Sequence, residues 1–110
     1  MENEIVGYVA IIFDGEPAYD TIQGAWISDL PFAVLHRLAV RQDTPIKGIG
    51  SAIMLAVETV VKSSNYFTIR VDTNYDNAAM LSVFSKLGYK YCGIVTLPGG
   101  EREAFEKILL

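Results

Sequence analysis

Gly48 and Gly50 stand one residue apart, between an apolar run that ends at Val40 and an apolar-periodic stretch that opens at Ile49. A tight turn at such a strand-to-helix junction presents free backbone N–H groups, and the helix N-terminus adds roughly half a positive charge. Phosphate or pyrophosphate is the natural guest there, with Gly50 letting the helix start close to the ligand and Lys47 adding a mobile cation. The spacing fails the dinucleotide fingerprint, because Ile53 stands where the third glycine belongs, and it fails the P-loop pattern too. A plain glycine turn accounts for these two residues equally well.

Other residues with chemistry are few. His36 is the only histidine, and imidazole titrates near neutral pH. A core histidine bonded to a neighbour is the simpler account of it. Asp72 closes an apolar run and serves as a base, a water anchor, a partner for Arg37 or a turn residue. Cys92 lies within an apolar strand and reads as a small core residue rather than a nucleophile. One cysteine and one histidine exclude an internal disulfide and a Cys/His zinc site, so no metal is expected.

The elements that must position these groups follow from periodicity and turn signals. Residues 5–13 are apolar, β-branched and aromatic, and end at Asp14-Gly15: a strand. Residues 16–31 carry Pro17, Gly24 and Pro31 without helical period, a long loop with room for a short strand near Trp26. Residues 32–40 are apolar on both parities, as an interior strand covered on both faces should be. Ile49, Ile53, Ala56, Val57 and Val60 mark one helix face running to about Lys62. A third strand at 66–72 precedes a second helix capped by Asp76 or Asn77, with Met80, Leu81, Phe84 and Leu87 as its stripe and Gly88 as its terminator. Strands at 89–97 and 102–110 flank the hairpin signal Pro98-Gly99-Gly100. The unit from 32 to 72 should be a right-handed parallel crossover, and ligands in such sheets bind outside the carboxyl ends of neighbouring parallel strands. Val40 to Gly50 and Asp72 to Asn77 are those ends. The expected class is therefore α/β (α+β): a mixed, mostly antiparallel five-stranded sheet with one parallel strand–helix–strand unit and two main helices.

The chain has 110 residues, enough for one domain with one core. Thirteen acids against nine bases give a formal charge of −4, and no basic excess exists to release counterions, so no nucleic acid is expected as partner. The longest apolar stretch, 5–13, is far short of the roughly twenty residues that span a bilayer. No membrane partner is expected, and the N-terminus has no basic signal-peptide region, so the expected location is cytoplasmic.

Read together, these segments resemble a known superfamily. Leu38-Ala39-Val40 followed by Lys47-Gly48-Ile49-Gly50-Ser51 and a long apolar helix resembles motif A of the GNAT acyl-CoA N-acyltransferases. Asn77-Ala78-Ala79-Met80 through Phe84-Ser85-Lys86-Leu87-Gly88-Tyr89 resembles their motif B. The resemblance covers nearly the whole chain and implies a single GNAT-like acyl-CoA-binding domain over 1–110. It further implies acetyl-CoA as acyl donor and a primary amine as acceptor. Leu38, Ala39 and Val40 would run beside the pantetheine arm where two strands splay, Leu38 and Val40 offering it backbone groups. The amides of Lys47, Gly48, Ile49, Gly50 and Ser51 would hold the pyrophosphate, and Asn77 would touch the pantetheine or the phosphates.

Acetyl transfer needs a neutral amine, and a lysine-like acceptor with a pKa of about 10.4 costs roughly 4–5 kcal/mol to deprotonate at pH 7. His36 and Asp72 are the catalytic candidates for that proton. Departures from the family pattern are Pro45, where a Gln or Arg is usual, and Phe84, where many members carry an acidic tyrosine. They support an alternative, a non-catalytic acyl-CoA-binding or dimerising module. The acids Asp14, Glu16 and Asp20 border the loop where an amine would arrive. The resemblance also implies that a strand, two helices and another strand usually precede the point matching Ile5. Without that block the 5–13 strand has an open apolar edge, and a second copy of the chain is expected to cover it as a homodimer.

Overall fold

A computed structural model describes residues 7–40 and 48–109, with side chains described from 9 to 36 and 48 to 109. In chain order the elements are β1 (Gly7–Ile12), a 3-10 turn (Pro17–Thr21), β2 (Gln23–Gly24), β3 (Ala33–Val40), α1 (Ile49–Ser63), β4 (Thr68–Thr73), α2 (Ala78–Lys86), β5 (Lys90–Leu97) and β6 (Gly100–Ile108). They form a six-stranded sheet in the order β1-β3-β4-β6-β5-β2. Among the described residues only β3 and β4 pair in parallel, joined through α1 as a strand–helix–strand unit requires. The fold is mixed α+β as expected, with β2 added as a sixth strand at the loop position where a short one was anticipated.

Alternation along the strands divides the core into two layers. Ala33, Leu35, Ile69, Val71 and Phe105 face α1 and α2 and pack on Met54, Val57, Val61, Met80 and Phe84. The opposite parity, Val34, Val95 and Ala104, packs on Tyr19, Ile22, Trp26 and Phe32. The long loop therefore works as a strap that covers the sheet face the helices leave open. Gly24 and Gly93, both at positive φ, face each other where β2 meets β5. A Cβ at either position would run into the facing strand's carbonyl oxygen, so the strap's anchor requires glycine.

The α1 stripe is rotated from the sequence expectation. Met54, Val57 and Val61 are its buried residues, whereas Ala56 and Val60 are exposed. Periodicity alone is ambiguous when Leu55, Ala56, Val57, Val60 and Val61 are all apolar, and packing on the sheet chooses among the possible faces. On α2 the stripe holds: Met80 and Phe84 are buried, Asn77 caps the helix by accepting from the Met80 amide at 3.2 Å, and Gly88 adopts φ 87° just past the end.

Strap and sheet are riveted by a buried ion pair. Glu106, wholly inaccessible, accepts from the Ile27 amide at 3.0 Å, the Ser28 hydroxyl at 2.6 Å and the Thr68 hydroxyl at 2.6 Å. Arg70 donates to the Ser28 carbonyl at 2.6 Å and lies under the Phe32 and Trp26 rings, 4.0 and 4.6 Å from their centroids. Its Nε stands 3.3 Å from Glu106 but is not aligned for a hydrogen bond. A buried charge pair survives only when its remaining lone pairs are satisfied, and here the strap supplies the partners for both ions.

Candidate functional site

The parallel pairing of β3 and β4 ends early. Ala33 faces Ile69 and Val34 faces Arg70, and no pair follows, although β3 runs on to Val40 and β4 to Thr73. Beyond Val34 the two strands splay, and β3 stays paired only with β1, from Gly7↔Val40 to Ile12↔Val34. The side of β3 turned away from β1 thus leaves backbone donors and acceptors available to an extended guest. A cavity of about 260 Å³ opens at this splay, lined among others by Leu35, His36, Asp72, Asn77, Phe84 and Arg102.

His36, Asp72 and Asn77, singled out from sequence, all line this cleft. His36 and Asp72 share the parity of Val34 and Arg70 and project toward the strap. His36 Nε2 lies 3.5 Å from Glu16 Oε1, and the Tyr19 hydroxyl donates to Asp72 Oδ2 at 2.6 Å. Burial raises the Asp72 pKa above the ordinary carboxylate value, and the Tyr19 hydrogen bond and the nearby His36 and Arg102 pull it back. Burial and the Asp72 carboxylate push the Tyr19 hydroxyl far above its usual value, so it remains a donor throughout the working pH range. Asn77 spends its carbonyl oxygen on the α2 cap, which leaves its amide hydrogens for a ligand.

The remaining predicted positions divide. Leu38, Ala39 and Val40 form the β3 wall beyond the last β4 pair, with backbone described and side chains not. Lys47 lies outside the described residues, as does Pro45. Gly48, Ile49, Gly50 and Ser51 are not among the cleft-lining residues; they form the α1 entrance after the carboxyl end of β3. Gly48 is the N-cap in the left-handed region, φ 78°, and neither a side-chain cap nor an acidic first-turn residue occupies that end. Among the described residues nothing engages the first-turn amides, and such a helix entrance suits solvent or an anion.

Four positions correct or extend the sequence reading. Among the described residues Asp72 takes the Tyr19 hydroxyl as its hydrogen-bond partner, while the side chain of Arg37, the partner suggested from sequence, lies outside the described residues. Tyr19 carried no local signal, yet it is 1% exposed and stacks on Trp26 at 5.0 Å. Three aromatics in one proline-punctuated loop, Tyr19, Trp26 and Phe32, were the available hint that this loop is buried rather than trailing. Phe84 is 1% exposed, between Tyr89 and Phe105, and brings no hydroxyl to the cleft. Cys92 is buried, and its thiol pKa is raised by burial and by Glu106, as expected of a packing residue.

A second cavity, about 540 Å³, lies between the β1 exit and the entry to β3. Its lining includes Phe13, Asp14, Glu16, Asp20, Asp29 and Tyr66. Glu16 belongs to this wall and also faces His36 of the cleft. Among the described residues, no group of three His, Cys, Asp or Glu side chains could hold a metal ion, and no helix is long and apolar enough to cross a membrane.

Residues 1–89 match the model of the acetyltransferase (GNAT) family. The chain belongs to the GNAT acetyltransferase family. The fold agrees with this membership. A GNAT-family acetyltransferase from Streptococcus agalactiae 2603 superposes with a TM-score of 0.80 at 31% identity, covering 94% of this chain and 58% of that one. An N-acetyltransferase from Staphylococcus aureus Mu50 gives 0.72 at 18% identity over 100% and 65% of the two chains. The NatC complex bound to Gag peptide and CoA gives 0.72 at 15% identity over 96% and 62%. The last two likenesses are of fold alone. The chain thus spans about three-fifths of the length of these GNAT structures. No curated protein matches the sequence.

Proposed function

We propose that the protein is an acetyl-CoA-dependent N-acetyltransferase whose acceptor is a primary amine. The observation that carries this reading is the splay of β3 from β4 after Val34, with His36 and Asp72 in the cleft it opens. The pantetheine arm lies along Leu38, Ala39 and Val40 as an added strand. The amides of Gly48, Ile49, Gly50 and Ser51 take the pyrophosphate, with Lys47 as a cation beside it, and Asn77 contacts the arm from α2. Phosphate oxygens at a helix entrance gain from both the free N–H groups and the dipole.

In the reaction, the ammonium of the acceptor gives one proton to Asp72 or His36, and the free amine attacks the thioester carbon. A backbone N–H near Leu38 to Val40 meets the oxyanion. Collapse breaks the C–S bond, and the second proton of the attacking nitrogen goes to the CoA thiolate. The products are the amide and the free thiol, and the enzyme returns its proton to water. The acidic, aromatic-lined cavity beside Glu16 supports a cationic acceptor, because carboxylates and ring faces both favour ammonium groups.

A thermal-shift series with acetyl-CoA, CoA and ATP, followed by thiol release over an amine panel, tests the reading. Acetyl-CoA should stabilise the protein and a cationic amine should release thiol. Stabilisation without release would identify a non-catalytic acyl-CoA-binding module, which the hydroxyl-free Phe84 favours. The absence of any response to CoA would remove both. The protein is further proposed to act in the cytoplasm as a homodimer formed across the β1 edge.

A further inference from the structure

Both candidate proton handlers are held from one short segment. Glu16 caps the 3-10 turn Pro17–Thr21, accepting from the Ala18 amide at 3.3 Å, while its other oxygen faces His36 Nε2 at 3.5 Å. Three residues on, Tyr19 turns its hydroxyl into Asp72 at 2.6 Å. The Tyr19 backbone is pinned in turn, because its carbonyl accepts from the Trp26 indole at 3.0 Å. Tyr19 is essentially inaccessible, so its hydroxyl has one settled partner and no water to exchange it for. The ring alone would satisfy the apolar strap core, and a phenylalanine would bury there at lower cost. The hydroxyl at this position therefore has its purpose at Asp72.

The geometry points to Tyr19 as a positioning residue of the proposed acyl transfer: its hydroxyl holds the Asp72 carboxylate in the cleft wall as an ionised acceptor for the amine proton. This rests on the acyltransfer reading. A partly buried carboxylate tends to take up a proton and lose its function as a base. Among the described residues, the charged and titratable groups that face Asp72 are Tyr19 and Glu16 from the strap, His36 from β3 and Arg102 from β6. Glu16 favours protonation of Asp72, while His36, Arg102 and the Tyr19 hydrogen bond oppose it. Tyr19 is the member that also fixes where the carboxylate sits.

The test is Tyr19→Phe, which keeps the ring and removes one oxygen. The acid limb of kcat/KM should move upward by about one to two pH units, the worth of a hydrogen bond to a charged group, with KM for acetyl-CoA unchanged. In an Asp72→Asn background the same change should not move the limb at all. A purely structural Tyr19 would lower Tm and leave the limb in place, and that result overturns the proposal. The carboxyl-carbon NMR titration of Asp72 needs no turnover and should rise by the same amount in Tyr19→Phe; an unmoved titration overturns the proposal as well. A wild-type protein that releases no thiol with any amine, yet shows the shifted titration, sinks the acyltransfer reading and leaves Tyr19 as the residue that governs Asp72.

Discussion

Asp72 sits in a place that costs stability. Its pKa is raised by burial, so the native protein takes up a proton at higher pH than the unfolded chain does. A raised carboxylate contributes stability below its unfolded value, and that contribution is lost as pH climbs through the native value. At pH 7 the ionised side chain is therefore a net burden, offset in part by Tyr19. Asp72→Asn keeps an acceptor for that hydroxyl and removes the charge. Its Tm at pH 7 should equal or exceed the wild type's, and the advantage should vanish as pH falls below about 4. Thiol release should drop at least about hundredfold, the usual weight of a positioned base. A variant that is both less stable at pH 7 and fully active would contradict the role given to Asp72. His36 and Asp72 were legible as candidates because their residue types are rare in apolar strands, and Asp72 also lies near a strand end. Tyr19 was not legible, because its partner lies 53 residues away and nothing within the loop announces it.

At the scale of elements, the strap from the 3-10 turn through Phe32 holds one wall of this site. It lays Tyr19, Trp26 and Phe32 over the sheet face opposite the helices and fastens itself through Glu106 and Arg70. Glu106→Ala leaves the Arg70 guanidinium buried without its counter-ion and strips three strap and sheet donors of their acceptor. Breaking such a pair costs about 3–5 kcal/mol, a large share of the roughly 5–15 kcal/mol that holds a domain of this size together. Tm should fall by more than about 10 °C. Amide exchange at Ala25 and Ile27 should accelerate most, since the Ile27 amide donates to Glu106 and the neighbouring Ala25 amide to the Cys92 carbonyl. A uniform loss of protection, with no excess at the strap, would show that the network holds the sheet and not the strap. The strands and helices themselves were readable from alternation, caps and Gly88. The strap was readable only as a loop, because its order comes from partners on β4, β5 and β6.

For the whole molecule, sheet order places β1 at one edge and the two-residue β2 at the other. β2 is short and pinned by glycine, and among the described residues it pairs only with Gly93 and Ile94 of β5. β1 is longer, and among the described residues its outer side has no strand partner. Soluble proteins seldom leave such an edge bare. Sedimentation or light scattering at micromolar concentration should therefore report a dimer. A monodisperse monomer would rule out the edge as an interface under those conditions. The acidic cavity and the proposed acyl-CoA cleft meet at the Glu16–His36 contact, so donor and acceptor are proposed to approach from opposite sides of one wall.

Local patterns along the chain determined the strand–helix–strand order, the glycine entrance to α1, the Asn77 cap and the two motifs that resemble the GNAT family. Each of these depends on residues within a few positions of one another, where alternation, helical period and turn chemistry act directly. Tertiary structure alone decided which face of α1 is buried, where β3 parts from β4, and that one loop carries both Glu16 to His36 and Tyr19 to Asp72. Those outcomes depend on which surfaces exclude water against each other across the folded sheet, and periodicity within one segment holds no record of the segment that will cover it.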